Sequence, residues 1–265
     1  MADDPGYGRH QRLAKRFVGP LFRLLFDIEV NGADHVPSDG PAVLCANHLA
    51  AIDSFVVPAV LDRPLMYVGK AEYLDDWKTS WLFPALGMIP IDRRGGDHAA
   101  AALDTAAQVL DHGGLFGIYP EGTRSRTGRL HKGRTGAARL AIAAGAPIIP
   151  IGLDGTDDVQ PVDSPWPRFG RTMSVTFGRP IDVTRYQDRQ GDHLVYRELT
   201  DEVMFEIGKL SGQTYDHRYA SDVAAADPGP ATSRPEPVDA GVTKARSSAD
   251  VLITRPLPDF GMAAG

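Results

Sequence analysis

The sequence predicts an α/β domain with a mostly buried sheet flanked by helices. Two observations carry this. Short continuous apolar runs end abruptly in polar or glycine-containing turns, and stretches of helix length alternate with them. A third supports it: 265 residues, 43% of them hydrophobic, suffice for one full core. The runs are Pro41 to Ala46, Leu65 to Val68, Met88 to Ile91, Leu115 to Tyr119 and Pro147 to Gly152. They are too short for helices and apolar throughout, as expected of strands covered on both faces. Met173 to Gly178 alternates and adds a further strand. Helices are expected over Ser54 to Leu61, Trp77 to Leu86, Asp97 to Asp111 and Thr135 to Ala144. A closing helix is marked by Tyr196, Leu199, Val203, Ile207 and Leu210 and ends at Ser211-Gly212. Residues 154–172 read as an irregular loop with Trp166 between two prolines.

Composition excludes several classes. A formal charge of −6 argues against a general nucleic-acid binder. The single Cys45 excludes an intrachain disulfide and a Cys-based metal site, and its apolar strand suits packing better than reactivity. No apolar run approaches the roughly 18 residues of a spanning helix. The N-terminus shows no long apolar core followed by a cleavage site, so no signal peptide is expected.

Residues 9–28 are amphipathic. Leu13, Phe17, Leu21, Leu24 and Ile28 recur at helical spacing, with Arg9, Arg12, Arg16 and Arg23 opposite, and Gly19-Pro20 is expected to kink or split the helix. A basic helix with a broad Leu and Phe face fits an anionic membrane surface. From about residue 220 the chain turns rich in Ala, Pro, Asp and Ser and reads as disordered. Three segments follow: a membrane-docking helical segment over 1–30, the main domain over 31–219 and a tail over 220–265.

The chemistry centres on Asn47-His48-Leu49-Ala50-Ala51-Ile52-Asp53, just beyond the carboxyl end of a strand. On one continuous helix His48 and Asp53 would lie about 140° apart. The pair works if His48 sits in a turn and Asp53 opens the next helix as its N-cap. The carboxylate then fixes one ring nitrogen and leaves the other as a general base. Lys70 ends the second strand and is a candidate stabilising cation. Arg93 and Arg94 precede a glycine pair and suit a compact anion such as phosphate. From Tyr119 to Arg139 there are six cations and one acid, Glu121, interleaved with glycines, which suggests a phosphate site unlike a P-loop.

Four stretches in order resemble the blocks of the glycerolipid acyltransferase family. They are Asn47-His48-x4-Asp53, Gly87 to Arg93, Tyr119-Pro120-Glu121-Gly122-Thr123-Arg124-Ser125, and Pro147 to Ile151. The resemblance implies a mixed sheet of the glycerol-3-phosphate-acyltransferase kind. It implies O-acyl transfer from a thioester, acyl-CoA or acyl carrier protein, to a hydroxyl of a phosphate-bearing acceptor. It makes His48 the general base, Asp53 its orienting carboxylate and Lys70 an aid to the oxyanion. Asn47, Arg93, Glu121, Gly122, Thr123 and Arg124 become the substrate-binding set. The leading expectation is acylation of 1-acylglycerol-3-phosphate to phosphatidate, peripherally on the inner face of the cell membrane, with no metal or other cofactor. The alternatives are another acceptor (glycerol-3-phosphate, another lysophospholipid or a glycolipid), a catalytically silent lipid-binding protein, or a metal-dependent hydrolase. No Gly-x-Ser-x-Gly elbow is present. Leu-Ala-Ala-Ile between His48 and Asp53 lacks the Ser or Trp that members often carry there.

Overall fold

The computed structural model describes residues 19–70, 87–91 and 98–226. Seven strands form the main sheet: β1 (Asp27–Asn31), β2 (Ala42–Ala46), β3 (Leu65–Lys70), β4 (Met88–Ile91), β5 (Leu115–Ile118), β7 (Ile148–Asp154) and β8 (Thr172–Phe177). Their order is β1-β8-β7-β2-β5-β3-β4. All neighbours run parallel except β7 and β8, so the sheet is mixed. Two short strands, β6 (Leu130–His131) and β9 (Tyr215–Asp216), pair separately.

The helices are α1 (residues 19–25), α2 (Asp53–Val60), α3 (His98–Asp111), α4 (Gly136–Ala144), α5 (Thr156–Val159), α6 (His193–Ser211) and α7 (Ala220–Ala226). Every residue of β2 is buried because helices cover both faces of its strand. Val43 and Cys45 pack with Leu110, Ala141, Leu199 and Val203 from α3, α4 and α6. Ala42, Leu44 and Ala46 pack on the opposite side with Val56, Val57 and Val60 of α2. Burial pushes the Cys45 thiol far above its ordinary range, so it is a packing residue. Helix α6 begins where Asp192 accepts from the Leu194 amide at 2.9 Å and ends at Gly212, φ 66°.

The fold departs from the sequence expectation at four places. Residues 27–31 form a strand, not the end of a helix over 9–28. Asp27-Ile28-Glu29-Val30-Asn31 alternates and finds a parallel partner in β8. Ile28 fits both a helical and a period-two pattern, and pairing decides between them. The rest of the expected helix before residue 19 lies outside the described residues, as do Trp77 to Leu86. The 154–172 connection carries α5 rather than being wholly irregular. Ala220–Ala226 is helical, so the expected tail begins too early, and residues from 227 on lie outside those described. Asp53 is the first residue of α2 and Ile52 its N-cap, without a side-chain capping bond.

Gly152 lets β7 and α6 meet. A Cβ there would stand 2.4 Å from the backbone carbon of Leu210 and 2.6 Å from the Ser211 nitrogen. Gly152→Ala is expected to cost about 1–3 kcal/mol, the usual range for overpacking. Urea denaturation checks this, and an unchanged midpoint would show that the two elements separate freely.

Candidate active site

Strand β2 ends at Ala46 and hands the chain to Asn47, whose amide is fully enclosed. Its Nδ2 donates to the Leu153 carbonyl at 2.8 Å and to Gln213 Oε1 at 2.7 Å, and its Oδ1 accepts from the Leu153 amide at 2.7 Å. Gln213 donates onward to the Gly128 carbonyl at 2.9 Å. Asn47 therefore locks the end of β2 to β7. The expectation that it binds substrate is corrected, because its donors are spent inside the protein.

His48 follows in a turn. Its Nδ1 lies 2.8 Å from Asp53 Oδ2, and the same oxygen accepts from the Leu49 amide at 2.7 Å and the Ala50 amide at 2.9 Å. Asp53 thus serves the turn behind it instead of capping the helix ahead. A carboxylate only accepts, so Nδ1 carries the proton and Nε2 keeps a lone pair. The His48 side chain is 16% exposed and that of Asp53 is 0% exposed. The imidazole reaches solvent and the carboxylate does not.

The segment Pro120 to Ser125 grips the His48 backbone from the neighbouring strand end. Glu121 Oε1 accepts from the His48 amide at 3.1 Å, and the Ser125 amide donates to the His48 carbonyl at 2.7 Å. Glu121 Oε2 accepts from the His131 amide at 2.8 Å. Glu121 is 1% exposed. Burial pushes its carboxyl up to about 8, although the two amide donors pull it down. The turn needs Gly122, which sits at φ 78° while its amide donates to the Tyr119 carbonyl at 2.9 Å.

Tyr119 stacks on the His48 ring, with centroids 3.9 Å apart and planes 12° from parallel. Its hydroxyl lies 3.5 Å from Ser54 Oγ, at the start of α2. Burial, reinforced by the charge of Asp53, pushes the phenol well above its ordinary range, so it stays neutral beside the imidazole. Beneath it lies an apolar recess lined by Leu44, Ala46, Val57, Pro58, Leu65 and Tyr67.

Gly122 and Thr123 are exposed at the rim, and Arg124 is half-buried with Nη1 3.2 Å from the Val162 carbonyl. The structure thus brings His48, Asp53, Glu121, Gly122, Thr123 and Arg124 together. Arg93 and the Lys70 side chain lie outside the described residues. The basic run does not act as one cluster. Arg126 pairs with Asp163 at 3.1 Å, while Lys132 and Arg134 lie over the Tyr219 ring at 5.3 and 5.2 Å. Composition counted these charges, but only the fold shows that they diverge. Tyr119, Ser125 and Gln213 escaped the sequence reading as parts of the site. The one available signal was that Tyr119 and Ser125 flank Glu121. Among the described residues no three His, Cys, Asp or Glu side chains converge as metal ligands.

Residues 27–154 match the family model described as Acyltransferase. The 1-acyl-sn-glycerol-3-phosphate acyltransferase of Escherichia coli (strain K12) is 30% identical over 198 residues, covering 72% of this chain and 78% of that protein. The chloroplastic enzyme of that name from Arabidopsis thaliana is 28% identical, over 65% of this chain and 48% of the relative. The alpha form from Homo sapiens is 34% identical, over 49% of this chain and 47% of the relative. The chain thus spans about half the length of several curated relatives that it matches. A crystal structure of the 1-acyl-sn-glycerophosphate (LPA) acyltransferase PlsC from Thermotoga maritima aligns with a TM-score of 0.61 and 21% identity. It covers 79% of this chain and 84% of that one, a likeness of fold.

Glu121 makes stability depend on pH. Its carboxyl titrates near 8 when folded against an ordinary 4.5, so folding retains a proton that the unfolded chain releases. Its contribution is fully present below about 4.5 and is lost as pH rises through about 8. Glu121→Gln is expected to flatten the fall in stability between these limits, and to cost about 1–3 kcal/mol at the acid end by setting an amide against a backbone N–H. Denaturation curves at both ends of the window measure the slope, and an unaltered slope would locate the titration elsewhere.

Proposed function

Because the chain belongs to the acyltransferase family, we propose that it moves a fatty acyl group from a thioester to a hydroxyl of a lysophospholipid, with 1-acylglycerol-3-phosphate as the leading acceptor. The observation that carries this is the 2.8 Å contact between His48 Nδ1 and the buried Asp53, which leaves Nε2 of a partly exposed ring available as a base. The relatives, which are 1-acyl-sn-glycerol-3-phosphate acyltransferases by name, support the acceptor.

In this reading Nε2 takes the proton of the acceptor hydroxyl as its oxygen attacks the thioester carbonyl. Asp53 stabilises the imidazolium that forms. The tetrahedral intermediate collapses, the C–S bond breaks, and the departing thiolate recovers the proton from His48. Attack is direct, so the route needs no covalent Ser or Cys intermediate and no cofactor. Arg124 stands on the same segment that grips His48 and is the acceptor's phosphate ligand, with Gly122 and Thr123 at the rim. The donor is acyl-CoA or acyl carrier protein.

Nothing in the described residues is long and apolar enough to cross a membrane. The exposed leucines of α1 support a peripheral position, Leu24 being 81% exposed.

Free-thiol release from palmitoyl-CoA, with and without lysophosphatidate, tests the reading. Wild type is expected to release thiol only with acceptor. His48→Ala, folded, is expected to lose about 10²–10⁴-fold in turnover. A folded His48→Ala protein with near-wild-type turnover would refute the base, and release without acceptor would indicate a thioesterase.

Arg124→Ala is expected to raise KM for lysophosphatidate by about tenfold or more while kcat changes less, since a charge-assisted hydrogen bond contributes roughly 1.5–3 kcal/mol. Steady-state kinetics over the acceptor range separates the two. An unchanged KM would remove Arg124 from the phosphate site.

A further inference from the structure

Two elements far apart in sequence present large apolar side chains to solvent side by side. On α1, Leu21, Leu24 and Leu25 are 53%, 81% and 41% exposed; on the α5–β8 loop, Trp166 and Phe169 are 78% and 64% exposed. Phe169 stacks on Phe26 at 5.5 Å, and Phe26 packs on Phe22 at 4.9 Å, so the loop is seated on the root of the helix.

The loop is built to hold this position. The Arg168 amide donates to the Val159 carbonyl at 2.7 Å, the Ser164 amide to the Pro161 carbonyl at 2.8 Å, and Ser164 Oγ to the Trp166 carbonyl at 2.8 Å. Pro165 and Pro167 stiffen the residues on either side of the indole. A rigid loop that holds Trp in water is the kind of feature that marks a contact surface.

Topology places this surface at the active-site edge. Strand β8 runs antiparallel to β7, and β1 runs parallel to β8. The chain therefore enters β1 from α1, and β8 from the loop, at the edge where β2 and β5 deliver His48 and Tyr119. The loop also reaches the site directly. Its Val162 carbonyl holds Arg124, and its Asp163 pairs with Arg126.

Charge specifies the occupant. Arg23, Arg168 and Arg171 are exposed on the same two segments as the apolar side chains. The preceding sequence adds Arg9, Arg12, Lys15 and Arg16. Among nearby acids, Asp163 is paired with Arg126 and Asp27 accepts from Thr172 Oγ1 at 3.0 Å, while Glu29 stands exposed on β1. Exposed apolar anchors with cations close to them in sequence match an anionic lipid surface, where Trp is characteristically placed.

We propose that the loop over residues 160–171 is a second lipid-contacting element, which inserts Trp166 and Phe169 beside α1 into an anionic membrane surface and turns His48 toward the headgroups. The proposal rests on the reading that the acceptor is a membrane-resident lysophospholipid. Two contacts, one from the helix and one from the loop, fix an orientation that a single helix leaves free to roll. They also anchor the segment that holds Arg124.

The test uses the full chain carrying Trp166→Ser and Phe169→Ser together. Trp166→Ser alone serves as the folding control: the indole is 78% exposed, so its thermal midpoint should be unchanged, whereas the double variant also loses the Phe169–Phe26 contact and should fall slightly in midpoint while staying folded. Co-sedimentation with phosphatidylcholine vesicles containing phosphatidylglycerol is expected to weaken by roughly tenfold or more, from the apolar area no longer buried. Turnover of lysophosphatidate in those vesicles should fall in parallel, while turnover of a short-chain lysophosphatidate in monomeric solution is retained. Trp166→Phe should restore much of the binding. Unchanged vesicle binding would overturn the proposal. So would a change in oligomeric mass by light scattering without loss of vesicle binding, which would assign the surface to a second copy. Weakened binding in a protein that turns over no acceptor would uphold the lipid contact and reject the acyl-transfer reading alone.

Discussion

A single carboxylate oxygen organises the site. Asp53 Oδ2 accepts from His48 Nδ1, the Leu49 amide and the Ala50 amide, and the turn from 48 to 53 is wound around it. Burying an isolated carboxylate costs many kcal/mol, so the group persists only where donors converge on it. Hydrogen bonds to a charged acceptor contribute about 1.5–3 kcal/mol each, and three of them shape the turn as they solvate the charge. Backbone conformation and imidazole orientation therefore depend on one atom. Glu121 repeats the device one strand away. Its oxygens take the His48 and His131 amides, and the Asp53 charge adds to the burial that raises its pKa. The Asp53 carboxylate fixes the ring of His48 and the Glu121 carboxyl group fixes its backbone.

Sheet topology makes these contacts possible between residues distant in sequence. Parallel pairing sets Cys45 beside Ile118, so the chain leaves both strands at one edge. The two exits carry His48 and the segment that grips it, which gives Tyr119 its stacking position without any sequence proximity to His48. On the other side of β2, Ile151 pairs with Ala46, and Asn47 continues the ladder with side-chain bonds to Leu153. The strand end is rigid because a buried amide extends the sheet for one residue beyond its backbone pairing.

What was legible in the sequence follows from range. His48 and Asp53 are five apart, so their chemistry could be argued from a turn alone. Short apolar runs disclosed the buried strands because a strand covered on both faces has no polar positions. Asn47 misled because a polar residue after an apolar run suits either a ligand-facing turn or a buried bridge, and only Gln213 and Leu153 decide which. Ile28 misled because it satisfies two periodicities at once. The cations after Tyr119 misled for another reason: composition sums charge, while the backbone between Arg124 and Arg134 reverses and sends Lys132 and Arg134 to Tyr219.

The segment from Glu121 to Ser125 shows how one short turn meets two opposed demands. Holding the His48 backbone still calls for buried, fully bonded partners. Presenting polar groups to solvent calls for exposed residues. Burial along the segment resolves the conflict residue by residue: Glu121 buried, Gly122 and Thr123 exposed, Arg124 half-buried and Ser125 buried again. The ends are tied to the His48 amide and carbonyl, so the middle must bulge away from the protein. The left-handed Gly122 makes that bulge possible within so few residues. Support for His48 and presentation of the rim are therefore consequences of the same backbone path, and the spacing between Glu121 and Arg124 cannot change without disturbing both.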